Sequence, residues 1–308
     1  MDPSLSDRGH LLTEQANPAS QNLDQLSPLE FVDLFNREDQ YCLTAVAQAR
    51  EAIAAAIEYA AQAIAQGGRL FYIGAGTSGR LGVLDAAECP PTFCSDPEQV
   101  QGILAGGPAA MFRSSEGLED RAEDGAAAIA EHQIGPRDFI VGITAGGTTP
   151  YVHGALAAAR AAGAKTGFLA CVPADQVAIA VDVDIRVPVG PELLSGSTRL
   201  KAGTVTKMVL NQISTGAMVR IGKVYGNRMV DVAVTNRKLE DRALRILSDL
   251  LGVDRQQAAR LLEANGRSVK QALLQHWTGV DPASAADLLN QHQGQLRAAL
   301  TASATALR

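Results

Sequence analysis

The sequence predicts an α/β fold built on a doubly wound parallel sheet of about five strands. Short apolar segments alternate with helical ones through the middle of the chain, and aromatic residues make up only 4% of it. This alternation is typical of βαβ units, in which helices cover both faces of a parallel sheet. A core this poor in aromatic residues favours helices packed on a sheet. The predicted strands are residues 69–73, 100–104, 138–143, 165–171 and 184–189.

Helical segments surround these strands and fill the rest of the chain. A polar arm leads into a short helix at 28–36, and a long Ala-rich helix at 43–65 ends at two glycines. Beyond residue 199 we expect no further strands. The predicted regions are an arm with a short helix at 1–42, a sheet domain at 43–236 and a small helical module at 237–308.

Composition and charge argue against several classes of protein. The net charge is −6 and no dense Lys/Arg run occurs, which is unlike a nucleic-acid-binding protein. No segment is apolar enough for a membrane span, and the N-terminus lacks a signal-peptide pattern, so we expect a cytoplasmic protein. Four cysteines in apolar contexts indicate reduced thiols, and we predict neither a metal site nor a cofactor.

A glycine-rich loop follows the first predicted strand and opens a helix. Its sequence, Gly74-Ala-Gly-Thr-Ser-Gly-Arg80, offers helix-start amides to an anion. It also matches a dinucleotide-binding pattern, with Asp96 near the spacing of a ribose-binding acid. A phosphosugar site, a dinucleotide site and a ligand-free turn remain open, and the loop's hydroxyls favour the phosphosugar. The candidate binding residues are Gly76, Thr77, Ser78, Gly79 and Arg80.

Two further hydroxyl-rich loops precede helices. Residues 144–150 follow another predicted strand, and Pro150 suits a first helical turn. Residues 194–201 add cations. Each loop alone is equally well explained as a helix cap, but ligands of such sheets bind at the carboxyl ends of the strands. We therefore expect the first two loops to face one crevice. The added candidates are Thr144, Gly147, Thr148, Thr149, Ser195, Ser197 and Lys201.

Two glutamates are candidates for acid–base chemistry. Glu88 is predicted to end the helix that starts at Ser78, because Pro90 and Pro91 follow it. The negative end of a helix dipole suits a carboxyl group that acts as a general acid. Glu119 lies in an acidic segment that we expect to open a helix at residue 117, where helix capping is the ordinary role. From the residues alone, surface and catalytic roles both remain open.

The first loop and its continuation through Leu81-Gly-Val-Leu-Asp-Ala-Ala-Glu-Cys-Pro-Pro-Thr92 resemble the signature of bacterial N-acetylmuramic acid 6-phosphate etherases. The resemblance runs from about residue 13 to the tail. The Glu88-Cys-Pro-Pro stretch is specific, whereas the glycine loops mark only the wider sugar-isomerase (SIS) superfamily. Other similar stretches are Thr13–Pro18, Leu23–Leu26, Glu116–Asp120, Leu194–Thr204 and Gly222–Asp231.

The resemblance implies a SIS-type domain, a homodimer and a C-terminal module similar to ubiquitin-associated (UBA) domains. It implies conversion of N-acetylmuramic acid 6-phosphate and water to N-acetylglucosamine 6-phosphate and D-lactate, in cell-wall amino-sugar recycling and without a cofactor. The family's two active-site glutamates match Glu88, the proton donor, and Glu119. The second loop departs from the family pattern, because relatives often have Ala-Ser-Gly where this chain has Ala145, Gly146 and Gly147. The phosphate donors there are then Thr144, Thr148 and Thr149.

Two other functions use similar loops. An aldose–ketose isomerase shares the phosphate loops but needs no acid beside a lactyl group. A regulator that binds a phosphosugar and a protein partner is the second, as in glucokinase regulatory proteins, and the helical tail would then be the partner surface. Lactate release separates the etherase from both.

Overall fold

The computed structural model describes residues 8–114, 117–232 and 234–306, so Glu116 lies outside the described residues. The contacts divide the chain into two compact units. The first comprises residues 1–87 and 98–214, and the second comprises residues 88–97 and 215–308. The predicted boundaries at residues 42 and 236 stay predictions. None of the helices in the described part of the chain is long and apolar enough to cross a membrane.

The first unit contains a five-stranded parallel sheet, which confirms the predicted fold class. The strand order is β2-β1-β3-β4-β5, and β1 pairs with β3 from Leu70–Phe139 to Gly74–Ile143. Both of these central strands are buried throughout, as continuous apolar runs in a parallel sheet should be. The strands are β1 (Leu70–Gly74), β2 (Val100–Leu104), β3 (Phe139–Ile143), β4 (Lys165–Ala170) and β5 (Val183–Arg186).

This strand order locates a ligand crevice. From β1 the chain adds β2 on one side, and it then continues with β3 on the other side of β1, so the strand order reverses between β1 and β3. Ligands of doubly wound sheets bind at this switch point, outside the carboxyl ends of the strands. The predicted first and second loops follow β1 and β3. The helices of this part of the chain are α1 (Pro28–Gln48), α2 (Arg50–Ala65), α3 (Gly76–Phe93), α4 (Ala122–Glu131), α5 (Pro150–Ala161) and α6 (Lys201–Arg220).

The N-terminal helices differ from their predicted extents. Helix α1 is 21 residues long because it continues well past residue 36. It starts at a capping box in which Ser27 and Glu30 satisfy each other's backbone amides, and Pro28 occupies the first turn. The predicted single helix at 43–65 is therefore wrong, since the helical structure is interrupted at Ala49, between α1 and α2.

Helix α3 does not end before its two prolines. Pro90 and Pro91 lie inside the helix, which continues to Phe93, and the amide of Cys94 still donates to the carbonyl of Pro90 at 3.0 Å. A proline lacks one N–H group, but a last turn can close on the carbonyls that precede it. The predicted helix end at Glu88 is wrong: Glu88 lies five residues before Phe93, outside the last turn.

The second unit is mainly helical and has its own core. Buried Leu247, Leu262 and Leu273 belong to one apolar cluster there. A two-stranded antiparallel hairpin, β6 (Val224–Tyr225) with β7 (Arg228–Met229), contradicts the expectation of no strand after residue 199; its Gly-Asn turn is a hairpin signal. The helices are α7 (Arg237–Leu251), α8 (Arg255–Ala264), α9 (Val269–Thr278), α10 (Pro282–Gln291) and α11 (Leu296–Ala306). The similarity to UBA domains stays a prediction.

Candidate functional site

A polar cavity of about 250 Å³ lies where the first and second loops meet, within the first unit. It is lined mainly by glycine backbone and by threonine and serine side chains. A larger cavity of about 600 Å³ lies against edge strand β2, but none of its described lining residues belongs to the three predicted loops. The predicted residues that line the polar cavity are Gly76, Thr77, Ser78, Glu119, Thr144, Thr148 and Thr149.

The first loop presents a helix start to the cavity. Gly76 adopts a left-handed φ of 54°, which glycine reaches without strain, and α3 begins there. The first amides of a helix have no acceptor within it, so those beside Thr77 and Ser78 suit an anion. Gly79 has a packing role instead: a Cβ there would lie 2.4 Å from the carbonyl oxygen of Gly74.

The second loop presents hydroxyl groups that are held in place. Thr144 Oγ1 and Thr149 Oγ1 are 2.7 Å apart, so one donates to the other and one hydroxyl hydrogen remains for a ligand. Gly147 adopts a φ of 79°, and its carbonyl lies 2.6 Å from the Nε2 atom of His153. Gly147 therefore shapes the turn, and its neighbour Gly146 lines the cavity.

The third loop contributes less than predicted. The carboxylate of Glu192 accepts hydrogen bonds from the amides of Lys201 and Ala202, at 3.0 and 2.9 Å, and so caps α6 itself. These two helix-start amides are consequently not available to a ligand. Ser195 and Ser197 do not line the cavity, whereas Gly196 and Thr198 between and beside them do.

The two predicted cations serve other contacts. Lys201 is 2% exposed, and its Nζ lies 2.8 Å from Glu38 Oε2. The Glu38 carboxylate therefore neutralises the positive charge of Lys201, which is then not available to a phosphate. Arg80 donates from Nε to the carbonyl of Ala110 at 2.9 Å and from Nη2 to that of Arg113 at 3.4 Å. Neither side chain lines the cavity, because each makes contacts within the fold instead.

The two candidate acids lie in different places. Glu119 lines the cavity and precedes α4, so the predicted helix start at residue 117 is wrong. Its carbonyl accepts a hydrogen bond from the amide of Tyr151 at 3.0 Å, which ties it to the start of α5. Glu88 is exposed, belongs to the second unit and does not line this cavity.

Two charged residues of the N-terminal arm line the cavity and were not predicted as site residues. They are Arg8 and Glu14. Leu11 and Thr13, between them, are 2% and 1% exposed, so the arm is packed onto the first unit. The family resemblance of residues 13–18 was the available signal, but no local pattern indicated which charges would reach the cavity.

Comparisons with known proteins identify the relatives of this chain. A model of the glucokinase regulatory protein N-terminal SIS domain matches residues 52–160. N-acetylmuramic acid 6-phosphate etherase from Synechococcus elongatus is 91% identical over 302 residues, covering 98% of both chains. The Synechocystis sp. etherase is 69% identical, covering 97% of this chain and 98% of its own.

The chain belongs to the N-acetylmuramic acid 6-phosphate etherase family. Membership extends over nearly the whole chain, including the arm and the helical tail. Among solved structures, a phosphoheptose isomerase from Francisella tularensis is 16% identical with a TM-score of 0.45, covering 62% of this chain and 98% of its own.

Proposed function

We propose that the chain cleaves the D-lactyl ether of N-acetylmuramic acid 6-phosphate, giving N-acetylglucosamine 6-phosphate and D-lactate. The observation that carries the proposal is a cavity lined by two phosphate-type loops and Glu119. The chain also matches relatives with this enzyme's name over nearly their full length. The reaction serves cell-wall amino-sugar recycling in the cytoplasm.

The phosphate would bind where helix-start amides and hydroxyls converge. Thr77 and Ser78 supply both kinds of donor, and Thr144, Thr148 and Thr149 line the same cavity. Donors on rigid elements fix one end of the sugar, and this positioning lowers the entropy cost of the reaction. Asp96, the acid of the dinucleotide alternative, precedes β2 instead of following it. The geometry therefore favours a monophosphate.

The chemistry needs a base and an acid. Ring opening exposes an aldehyde, which acidifies the C2–H bond of the sugar. A carboxylate removes that proton, the C3–O bond breaks, and a protonated acid delivers its proton to the departing lactyl oxygen. Water then adds to C3 of the unsaturated aldehyde and gives its proton to the deprotonated acid, while the protonated base returns its proton to C2. We assign the base to Glu119, because it lines the cavity, and the acid to Glu88 by the family resemblance.

The acid would come from a second copy of the chain. Ser78 and Glu88 are ten positions apart on α3, which corresponds to about 15 Å at the rise of an α-helix. One phosphosugar does not span that distance. Helix α1 exposes apolar side chains, including Leu29 and Leu43 at 71% and 65%. Such an exposed apolar face is typical of an interface and supports a homodimer.

Lactate release is the direct test. The purified chain, incubated with N-acetylmuramic acid 6-phosphate, should release D-lactate in proportion to N-acetylglucosamine 6-phosphate, without added metal or nucleotide. Isomerisation of an aldose phosphate without lactate release would instead support the isomerase alternative. Phosphosugar binding without any turnover would support a regulator.

Mixing two inactive variants tests the shared site. Glu88→Gln and Glu119→Gln homodimers, dissociated and reassociated together, should form heterodimers with one intact site each. If copies exchange at random, activity should recover to about a quarter of wild type. Each variant reassociated alone is the control. A mixture as inactive as its components would show that both glutamates act within one chain.

A further inference from the structure

The N-terminal arm places a cation, Arg8, at the cavity. Arg8 is the only cation among the described residues that line it, and the other ionisable lining residues are Glu14 and Glu119. Within the described part of the chain, no side chain forms an ion pair or a side-chain hydrogen bond with the Arg8 guanidinium. Arg8 thus differs from Lys201 and Arg80, whose donors are already used.

Several contacts hold this arm in place independently of Arg8. The amide of Leu12 donates to Gln176 Oε1 at 3.1 Å, and Gln176 Nε2 donates to the carbonyl of His10 at 3.3 Å. Asn17 Nδ2 donates to Glu38 Oε2 at 2.8 Å and to the carbonyl of Pro191 at 3.0 Å. Arg8 can consequently be replaced without removing a contact that anchors the arm.

The arm packs on both the second and the third loop. A Cβ added to Gly146 would lie 3.4 Å from Thr13 Oγ1, and one added to Gly196 would lie 3.4 Å from Glu14 Oε2. The Gly146 position therefore faces the arm. Arg8 reaches the cavity from this segment, whereas the hydroxyl and amide donors belong to the loops after β1 and β3.

We propose that Arg8 binds the carboxylate of the substrate's lactyl group. This inference rests on the proposed function, since the lactyl ether is what distinguishes that substrate from its sugar product. The substrate carries two anionic groups, and the phosphate has donors from two loops. A second carboxylate entering beside Glu14 and Glu119 needs a compensating cation, because an unpaired charge that loses water is costly.

The chemistry of a guanidinium group and a carboxylate fits this assignment. A guanidinium group presents parallel N–H donors that match a carboxylate, and such charge-assisted hydrogen bonds are strong. Arg8 would orient the lactyl ether at its carboxylate end, while the phosphate is held elsewhere. After elimination and hydration the sugar product no longer carries that carboxylate. The contact is then lost, which favours binding of the substrate over the sugar product.

The test compares two sugars that differ only by the lactyl group. Arg8→Ala should lower kcat/KM for N-acetylmuramic acid 6-phosphate about 10- to 100-fold, the range for a lost hydrogen bond to a charged group. The inhibition constant of N-acetylglucosamine 6-phosphate should change less than about threefold, as for an ordinary surface substitution. Arg8→Lys should recover part of the loss. Arg50→Ala, at an arginine with an 80% exposed side chain, is the matched control.

Two outcomes would overturn the assignment. Equal weakening of both sugars would mean that Arg8 contacts the phosphate or the ring, and no change for either would mean that Arg8 does not contact the substrate. Failure of the proposed function gives a different result, since the wild-type chain would then release no lactate. Calorimetric binding of the two sugars to wild-type protein and Arg8→Ala would still decide the role of Arg8.

Discussion

A charge cluster at the start of α6 consists of Lys201, Glu38 and Glu192. Lys201 Nζ lies 2.8 Å from Glu38 Oε2, and the Glu192 carboxylate accepts hydrogen bonds from two backbone amides. In the cavity, Arg8, Glu14 and Glu119 have no ion-pair partner among the described residues. Both regions belong to the first unit and both contain residues of the third loop or its helix. Removing one partner of a buried ion pair destabilises the fold, whereas a charge that lines a cavity without a partner is available to a ligand.

The cluster also shows how pairing controls ionisation. Burial raises the pKa of Glu38, but hydrogen bonds from Lys201 and Asn17 and the charge of Lys201 outweigh it, so the net pKa is lowered. Glu192 shows the opposite balance: burial raises its pKa more than the amides of Ala202 and Lys201 lower it. Glu38 receives side-chain hydrogen bonds from Lys201 and Asn17, whereas Glu192 is more deeply buried and receives hydrogen bonds from backbone amides only.

The largest expected effect is at the cavity. Glu119→Gln should lower kcat about 10²- to 10⁴-fold, the usual contribution of a positioned base. The free energy of unfolding should change by less than about 0.5 kcal/mol, since no paired contact is lost. Lactate release and urea unfolding measure the two quantities. Glu123→Gln, on the exposed side of α4, is the control. Stability loss without activity loss would reverse the assignment of Glu119.

A substitution in the charge cluster should lower the free energy of unfolding more than it lowers activity. Lys201→Met leaves the Glu38 carboxylate buried without its cation, so we expect a loss of about 3–5 kcal/mol in the free energy of unfolding. Adding Glu38→Leu should recover much of that loss, because both charges are then gone. Urea unfolding measures both variants, with the exposed Lys238→Met as control. A stable Lys201→Met protein with a raised KM would return Lys201 to the phosphate site.

A single hydroxyl of the cavity should have a smaller effect. Thr148→Val keeps the shape of the side chain but removes a donor to the phosphate, and we expect KM to rise about tenfold. Thr301→Val is a control of the same chemical type, because Thr301 lies on α11 and its hydroxyl donates to the carbonyl of Arg297. Equal KM values for the two variants would remove Thr148 from the phosphate site.

The smallest expected effect concerns pH. Because the pKa of Glu38 is lowered on folding, its contribution to stability is present above the unfolded value and is lost as the pH falls through the folded value. Glu38→Gln should therefore be most destabilising near pH 7 and progressively less so below about pH 4. Urea unfolding at several pH values measures the difference. A difference that is constant with pH would show that Glu38 does not titrate with folding.

Local sequence patterns predicted most of the fold. Apolar runs with glycine turns identified all five parallel strands, and the hydroxyls that follow β1 and β3 identified two loops that line one cavity. These features depend on residues close in sequence. The end of α3 was missed because the two prolines reduce helix propensity without preventing a last turn, and the hairpin at residues 224–229 was too short to form a strand pattern.

The sequence by itself determined the switch-point loops and the family, because both are encoded in short motifs. Only the tertiary structure decided which charges line the cavity. Lys201 pairs with Glu38, 163 residues away, and Arg8 reaches loops that lie more than sixty residues further along the chain. The local sequence around a cation near a phosphate loop does not show whether that cation has an ion-pair partner. Long-range packing determines the partner, and a cation without one is available to a ligand.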